Sequence, residues 1–374
     1  MATDTRPIGV GIIGFEPGRS WAAVAHVPAL RGLPEYQVTA VATTRRESAD
    51  AAAAAIGLRS DRGFTSAAEL AACDDVDLVV VTVKVPHHLE LVRAAVAAGK
   101  HVYCEWPLGN GLAEAREMAR LVGEAGVQGV IGLQARCAPA VAYVRDLVAS
   151  GEIGEVLSSN MFGTGIQWGG WVDRPNTYLL DPANGATLMT IPFGHAVDAM
   201  CYCLGEFSSL SALTAIRQPL VKQLENGEIW QKRTPDQIVV TGTLQGGAIA
   251  NVHYRGGTSR GANFAWEING TKGDLRLEAD GGHAQMFDLS LSAGFGRDRT
   301  LKPLEIPAQY RWVPETITGL ATNVAQLYRR LSDALAGKQA TGMGFDVAVE
   351  QHRLLAVIEE AAAIGGVIGL ETEG

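Results

Sequence analysis

The first third of the chain alternates two kinds of pattern so regularly that few folds can accommodate it. Apolar runs at "PIGVGIIG", "YQVTAVATT", "VDLVVVTVKV", "KHVYCEW" and "VQGVIGLQ" are separated by amphipathic stretches at "SWAAVAHVPALRG", "RESADAAAAAIG", "PHHLELVRAAVAAG" and "GLAEAREMARLVGEAG". A strand that is apolar on both faces must be covered on both. Helices returning between such strands do this on a parallel sheet. The pattern predicts an α/β fold with an N-terminal doubly wound, Rossmann-type domain over residues 1–133.

After Gln134 the rhythm changes. "PAVAYVRDLVASGEIG" reads as a helix halted by glycine, and strand-like segments then follow without helices between them: "EVLSSNMFGTG", "SSLSALTAI", "DQIVVTGTL", "AIANVHYRGG" and "NFAWEINGTKGDLRLE". That succession predicts an open, mostly antiparallel sheet. Two amphipathic helices, "TGLATNVAQLYRRLSDALAG" and "GFDVAVEQHRLLAVIEEAAAIGG", complete a second α/β domain over 134–374, expected to serve substrate binding and oligomerisation while its C-terminal helices pack back. A chain of 374 residues is long enough for both.

Charge and composition narrow the partners. A net charge of −9 argues against a nucleic-acid binder, which needs clustered Lys and Arg to neutralise phosphate. No stretch approaches the roughly 20 apolar residues of a membrane span. The opening "MATDTRPIGVGIIG" passes from polar residues directly into a strand, without the apolar core of a signal peptide, so a cytoplasmic protein is expected. The five cysteines form no disulfide framework. Cys201 and Cys203 are too close for a CxxC site, so buried free thiols and no metal are expected.

Gly9-Val10-Gly11-Ile12-Ile13-Gly14 matches G-x-G-x-x-G literally, but Gly9 and Gly11 lie inside the first strand. The motif holds a pyrophosphate only where a strand turns into a helix. The phosphate loop is therefore expected over Gly14, Phe15, Glu16, Pro17, Gly18, Arg19, Ser20 and Trp21, with amides near Gly18, Arg19 and Ser20 offered to a diphosphate. The other reading is a plain glycine-rich turn. The second strand ends in Thr43-Thr44-Arg45-Arg46, with no carboxylate before Glu47. An NAD site usually places an acid there and a 2′-phosphate wants Arg and hydroxyls, so NADP is favoured, with NAD as the alternative. Lys84, beside Val83 at the carboxyl end of the third long strand, stands where doubly wound sheets bind ligands. It reads either as a proton-handling group or as an exposed strand-end lysine. Gln134 and Arg136 follow the last strand of this domain and are expected near the nicotinamide.

Three stretches, "VDLVVVTVKVPHHLELVRAAVAAGKHVYCEWPLG", "VIGLQARCAPAVAYVRDLVASGEIGEV" and "INGTKGDLRLE", resemble the glucose–fructose oxidoreductase, inositol dehydrogenase and rhizopine-catabolism family (Gfo/Idh/MocA) over nearly the whole chain. The resemblance implies NAD(P)-dependent oxidation or reduction of sugars, polyols and related compounds by homodimers or homotetramers. It also implies a cofactor role for His88 and for the tripeptide Glu105-Trp106-Pro107. In the family that tripeptide usually reads Glu-Lys-Pro, with its lysine near nicotinamide and substrate. The family's catalytic Asp, four residues before a His, is Ile191 here, while the His is His195; Asp198 follows one turn later. Relatives build their substrate pocket where this chain has Trp168, Trp171, Tyr178 and Asp181. These departures, with "GRSWAAVAHVPAL", "CEWPL" and "DPANGATLMTIPFGHAVD", are similar to a narrower branch, the galactose repressors of yeasts.

Two functions follow as expectations. One is an oxidoreductase in which His195, with or without Lys84, moves the proton that accompanies hydride transfer to a small carbonyl or imine compound. The other is a non-catalytic, dinucleotide-loaded regulator.

Overall fold

A computed structural model describes residues 6–338 and 342–370. They fall into two units. The first joins the chain up to Leu133 with Trp312–His352; the second holds Gln134–Arg311 and the chain from Arg353 onward. Residues 312–352, read from the sequence as part of a single 134–374 domain, thus belong with the first unit. Periodicity shows that a helix has an apolar face but not what covers it. Here Tyr36 donates from its hydroxyl to the Tyr328 carbonyl at 2.7 Å, and a side chain at Gly32 would collide with Ile317.

The first unit is built on β1 (Ile8–Ile13), β2 (Tyr36–Ala42), β3 (Gly63–Phe64), β4 (Leu78–Val81), β5 (His101–Glu105) and β6 (Gly129–Gly132). All pairs are parallel, in the order β3-β2-β1-β4-β5-β6. Every residue of β4 is fully buried, which explains its unbroken valine run. A Cβ on Gly9 would lie 1.8 Å from the Asp75 carbonyl oxygen, and one on Gly11 2.5 Å from Leu70 Cδ2. Both glycines therefore serve close packing within the strand. A π-helical turn, Ala22–His26, leads into α1 (Val27–Arg31). The crossovers contain α2 (Arg46–Ala55), α3 (Ala67–Ala71), α4 (His88–Ala97) and α5 (Leu112–Ala125). Strand order reverses between β1 and β4, and the carboxyl ends flanking such a switch point form the crevice where open α/β sheets bind ligands.

In the second unit α6 (Pro139–Ala149) precedes β7 (Val156–Gly165) and β8 (Trp171–Val172). A π-helical turn, Met189–Phe193, then runs into α7 (Gly194–Leu204). Strands β9 (Phe207–Ala215), β10 (Leu220–Gln223), β11 (Ile229–Gln231), β12 (Gln237–Leu244), β13 (Ile249–Gly256), β14 (Phe264–Gly270), β15 (Gly273–Ala279), β16 (Ser290–Phe295) and β17 (Lys302–Pro303) follow. After α8 (Ala321–Leu335) of the first unit and α9 (Phe345–Ile364), β18 (Val367–Gly369) joins the edge of a nine-stranded sheet ordered β17-β16-β15-β14-β7-β13-β12-β9-β18. Its pairs are antiparallel except β7–β13. Ile238, Val240, Val252, Tyr254, Trp266 and Ile268 fill one face, where Phe193 meets Tyr254 edge-on at 5.8 Å. Val239, His253 and Phe162 on the other face are only half-buried. Among the described residues no helix is long and apolar enough to cross a membrane.

Candidate cofactor and substrate sites

The carboxyl ends of β1, β2 and β4 open onto a cavity of about 800 Å³. Eight expected residues line it: Gly14, Phe15, Glu16, Pro17, Thr43, Thr44, Arg45 and Val83. Gly14 has φ +96°, and a Cβ there would lie 2.7 Å from Val83 Cγ1, so only glycine lets the loop close against the end of β4. Ser66 and His87 lie on the lining as well. Arg46 is spent on Asp50, at 2.7 Å, and on the Gly63 carbonyl. The Arg45 guanidinium makes no ion pair among the described residues. The lining thus combines a glycine cradle, hydroxyls and the Arg45 guanidinium with the carboxylates of Glu16 and Glu90.

Other expected cofactor residues are placed differently. Gly18, Arg19, Ser20 and Trp21 are absent from the cavity lining. The Ser20 hydroxyl accepts from the Glu16 and Ala23 amides at 2.9 and 3.3 Å and donates to the Glu16 carbonyl at 3.1 Å, while Arg19 pairs with Glu16. The loop is fastened on itself, so the Ser20 hydroxyl holds the turn and is not offered to phosphate. His88 is absent from the lining too. It is buried, with Nδ1 3.0 Å from the Pro107 and Leu108 carbonyls and Nε2 3.0 Å from the Val83 carbonyl. Burial lowers its pKa, and it ties the start of α4 to the chain after β5. His87, read from the sequence as solvent-facing, is exposed, and from the 3₁₀ turn Val85–His87 it also lines the cavity. Lys84 stands exposed just before that turn and is absent from the lining.

Glu105 lies 3.0 Å from His26 Nε2, and His26 Nδ1 lies 2.8 Å from the Tyr328 hydroxyl. The Tyr103 ring packs on Tyr328 with centroids 5.0 Å apart. Trp106 is 5% exposed, 4.6 Å between ring centroids from His352, and precedes a cis peptide bond to Pro107. An indole therefore fills the place of the family's lysine, and the neighbouring carboxylate is held in a buried network.

The second unit carries the remaining candidates. Gln134 is buried in a short turn, Gln134–Cys137, from which Arg136 reaches Asp198 with two bonds of 2.6 and 2.7 Å. Burial pushes the Asp198 carboxyl up and Arg136 opposes that, so this aspartate is a partner of the guanidinium and not a proton carrier. His195 begins α7 directly after the π-helical turn containing Ile191. It is 3% exposed, and burial, reinforced by His283, lowers its pKa to about 3. Near neutral pH His195 is therefore a neutral imidazole. His283, itself lowered to about 4 by burial, stacks against Trp168 with centroids 6.3 Å apart. His283, a residue the sequence reading missed, thus packs on Trp168 and also disfavours protonation of His195. Its one signal was Gly281-Gly282 before it: a Cβ on Gly282 would lie 1.8 Å from the Thr164 carbonyl oxygen. Trp171 is exposed on β8, Asp181 caps the next turn and pairs with Arg233, and Tyr178 is half-buried in a 3₁₀ segment.

Residues 8–133 match the profile described as "Oxidoreductase family, NAD-binding Rossmann fold", and residues 139–279 match "Gal80p, C-terminal domain". The chain belongs to the Gfo/Idh/MocA oxidoreductase family, near its Gal80-like branch. It is 35% identical to dehydrogenase aclE of Aspergillus oryzae over 73% of this chain and 77% of that protein. It is 32% identical to the galactose/lactose metabolism regulatory protein GAL80 of Kluyveromyces lactis over 77% of this chain and 67% of that protein. A crystal structure of a super-repressor mutant of Gal80p from Saccharomyces cerevisiae superposes with a TM-score of 0.86 at 26% identity, covering 97% of both chains. The first unit is a dinucleotide-binding Rossmann domain.

Proposed function

We propose that this chain is an NADP-dependent oxidoreductase acting on an uncharged sugar, polyol or related carbonyl or imine compound. The observation that carries the cofactor assignment is the uncommitted Arg45 on the lining of the β1–β2–β4 cavity, with Thr43 and Thr44 beside it and no carboxylate at the end of β2. A 2′-phosphate would accept from that guanidinium, whereas a bare ribose would leave it unused. When bound, the nicotinamide supplies hydride exchange.

This chain's residues would hold the other partner. His195, neutral through burial, presents one N–H and one lone pair, and polarises a substrate oxygen as a hydrogen-bonding group without carrying charge. Arg136 is committed to Asp198 and Lys232 to Asp236, so the buried charge of the second unit is balanced and a neutral ligand is favoured. The assembly we propose is a cytoplasmic homodimer or homotetramer joined through the open face of the nine-stranded sheet, supported by half-buried Phe162 and Val239 and by Leu213, which is 65% exposed. Small molecules are its proposed partners, not nucleic acid or membrane.

A regulatory reading is favoured by a separate observation. Trp106 replaces the family's lysine, Asp198 is locked to Arg136, and His195 is held neutral, which leaves the described groups poorly suited to shuttle a proton near neutrality. Titration with NADPH and NADH tests the cofactor assignment. NADPH binds at least about tenfold tighter, and Arg45→Ala removes most of that preference while leaving NADH affinity unchanged. Equal affinities in the unaltered protein would contradict it.

A further inference from the structure

Trp168 is the one described non-glycine residue with a left-handed backbone, φ +62°. A bulky side chain adopts that conformation only where its surroundings over-determine it, and such positions cluster at functional sites. The surroundings here are specific. Lys232 is 1% exposed, and its ammonium donates to the Trp168 carbonyl at 2.7 Å, to the Gly169 carbonyl at 3.2 Å and to Asp236 at 2.8 Å. Asp236, also buried, accepts from the Arg217 and Gln218 amides at 2.8 Å each. From the other side, the Trp168 carbonyl presses on Gly256, where a Cβ would lie 2.1 Å away.

We propose that the buried Lys232–Asp236 pair is a clamp that fixes Trp168 as one wall of the substrate site containing His195 and His283. The proposal rests on the reading of His195 as a substrate-binding group. Burying an ion pair is a poor way to gain stability, but it fixes geometry well when every donor finds an acceptor. All three donors of this ammonium are matched to acceptors, two of them on the backbone of the strained turn. The held indole lies over His283, and Trp168 Nε1 and His195 Nδ1 are buried without a hydrogen-bond partner among the described residues. An indole N–H can only donate, so its complement is an acceptor oxygen such as a hydroxyl or carbonyl. Lys232 is thus a positioning residue for substrate recognition.

The test compares Lys232→Met with the unaltered protein by two readouts. The indole N–H resonance of Trp168, assigned by its loss in Trp168→Phe, is expected to shift or broaden, while that of Trp266, bonded to Ser159 in the same unit, stays in place. In assays with NADP⁺ or NADPH and D-glucose, D-sorbitol or D-fructose, KM rises about tenfold with kcat within about twofold. An unchanged Trp168 resonance in folded Lys232→Met overturns the clamp. A displaced resonance without turnover of any probe by the unaltered protein supports the clamp and overturns the substrate reading. If Lys232→Met does not fold, Lys232→Met/Asp236→Leu exchanges the pair for apolar groups and permits the same comparison.

Discussion

The two units use buried polar residues in opposite ways. In the first, His26 links Glu105 to Tyr328, and the buried His88 ring nitrogens lie 3.0 Å from three carbonyls. Residues that the family resemblance assigned to the cofactor are hydrogen-bonded within this unit. In the second, Trp168 Nε1 and His195 Nδ1 are unmatched among the described residues, while Arg136–Asp198 and Lys232–Asp236 are closed pairs around which such a site can be held. Buried polar groups are normally satisfied, so two unmatched ring nitrogens in one region offer hydrogen bonds to a ligand. The first unit retains a nucleotide cavity without its usual lysine, and the groups available for substrate recognition lie in the second.

This contrast can be broken experimentally, beginning with the largest effect. Arg136→Ala leaves Asp198 buried without its partner and is expected to cost about 3–5 kcal/mol in denaturant unfolding. A loss below about 1 kcal/mol would show that the pair is not structural. Acidification comes next. The folded-state values of His195 and His283, about 3 and about 4, lie below the ordinary 6.5, so the unfolded chain takes up those protons first. Their contribution is complete above pH 6.5 and is lost as pH falls toward 4, at about 1.4 kcal/mol per pH unit for each histidine. Unfolding free energies measured from pH 7 to 5 should therefore fall, and His283→Gln should flatten the slope; a flat profile in the unaltered protein would contradict both assignments. Glu105→Gln, the smallest of these changes, is expected to cost about 1–2 kcal/mol and to leave NADPH affinity within about twofold. A large loss of affinity would return Glu105 to the cofactor site.

The parallel sheet was legible because "LVVV" at 78–81 and its counterparts are apolar on both faces, a signal that survives without tertiary information. The two-residue strand β3 and the five-residue α3 were too short to carry a period. The cavity residues at Gly14, Thr44 and Arg45 followed from knowing where β1 and β2 end. Ser20 and His88 were misplaced because sequence supplies a donor's identity but not its competitor: a main-chain partner within four residues claimed Ser20, and carbonyls across the sheet claimed His88. Lys232 and Asp236 were invisible for the same reason. An i,i+4 pair in a strand-and-turn region reads as a solvated charge until the fold buries it. His195 was found by motif, but its neutrality was not, since burial and His283 together set it.

The most direct test of the central claim is cofactor turnover in a panel of uncharged sugars, polyols, ketones and imines, followed at the NADPH absorbance band in the unaltered protein and in His195→Ala. The account predicts turnover of at least one compound, lost on substitution of His195, with NADPH affinity unchanged between the two proteins. Tight NADPH binding with no turnover across the panel would contradict it and establish the regulatory reading in its place.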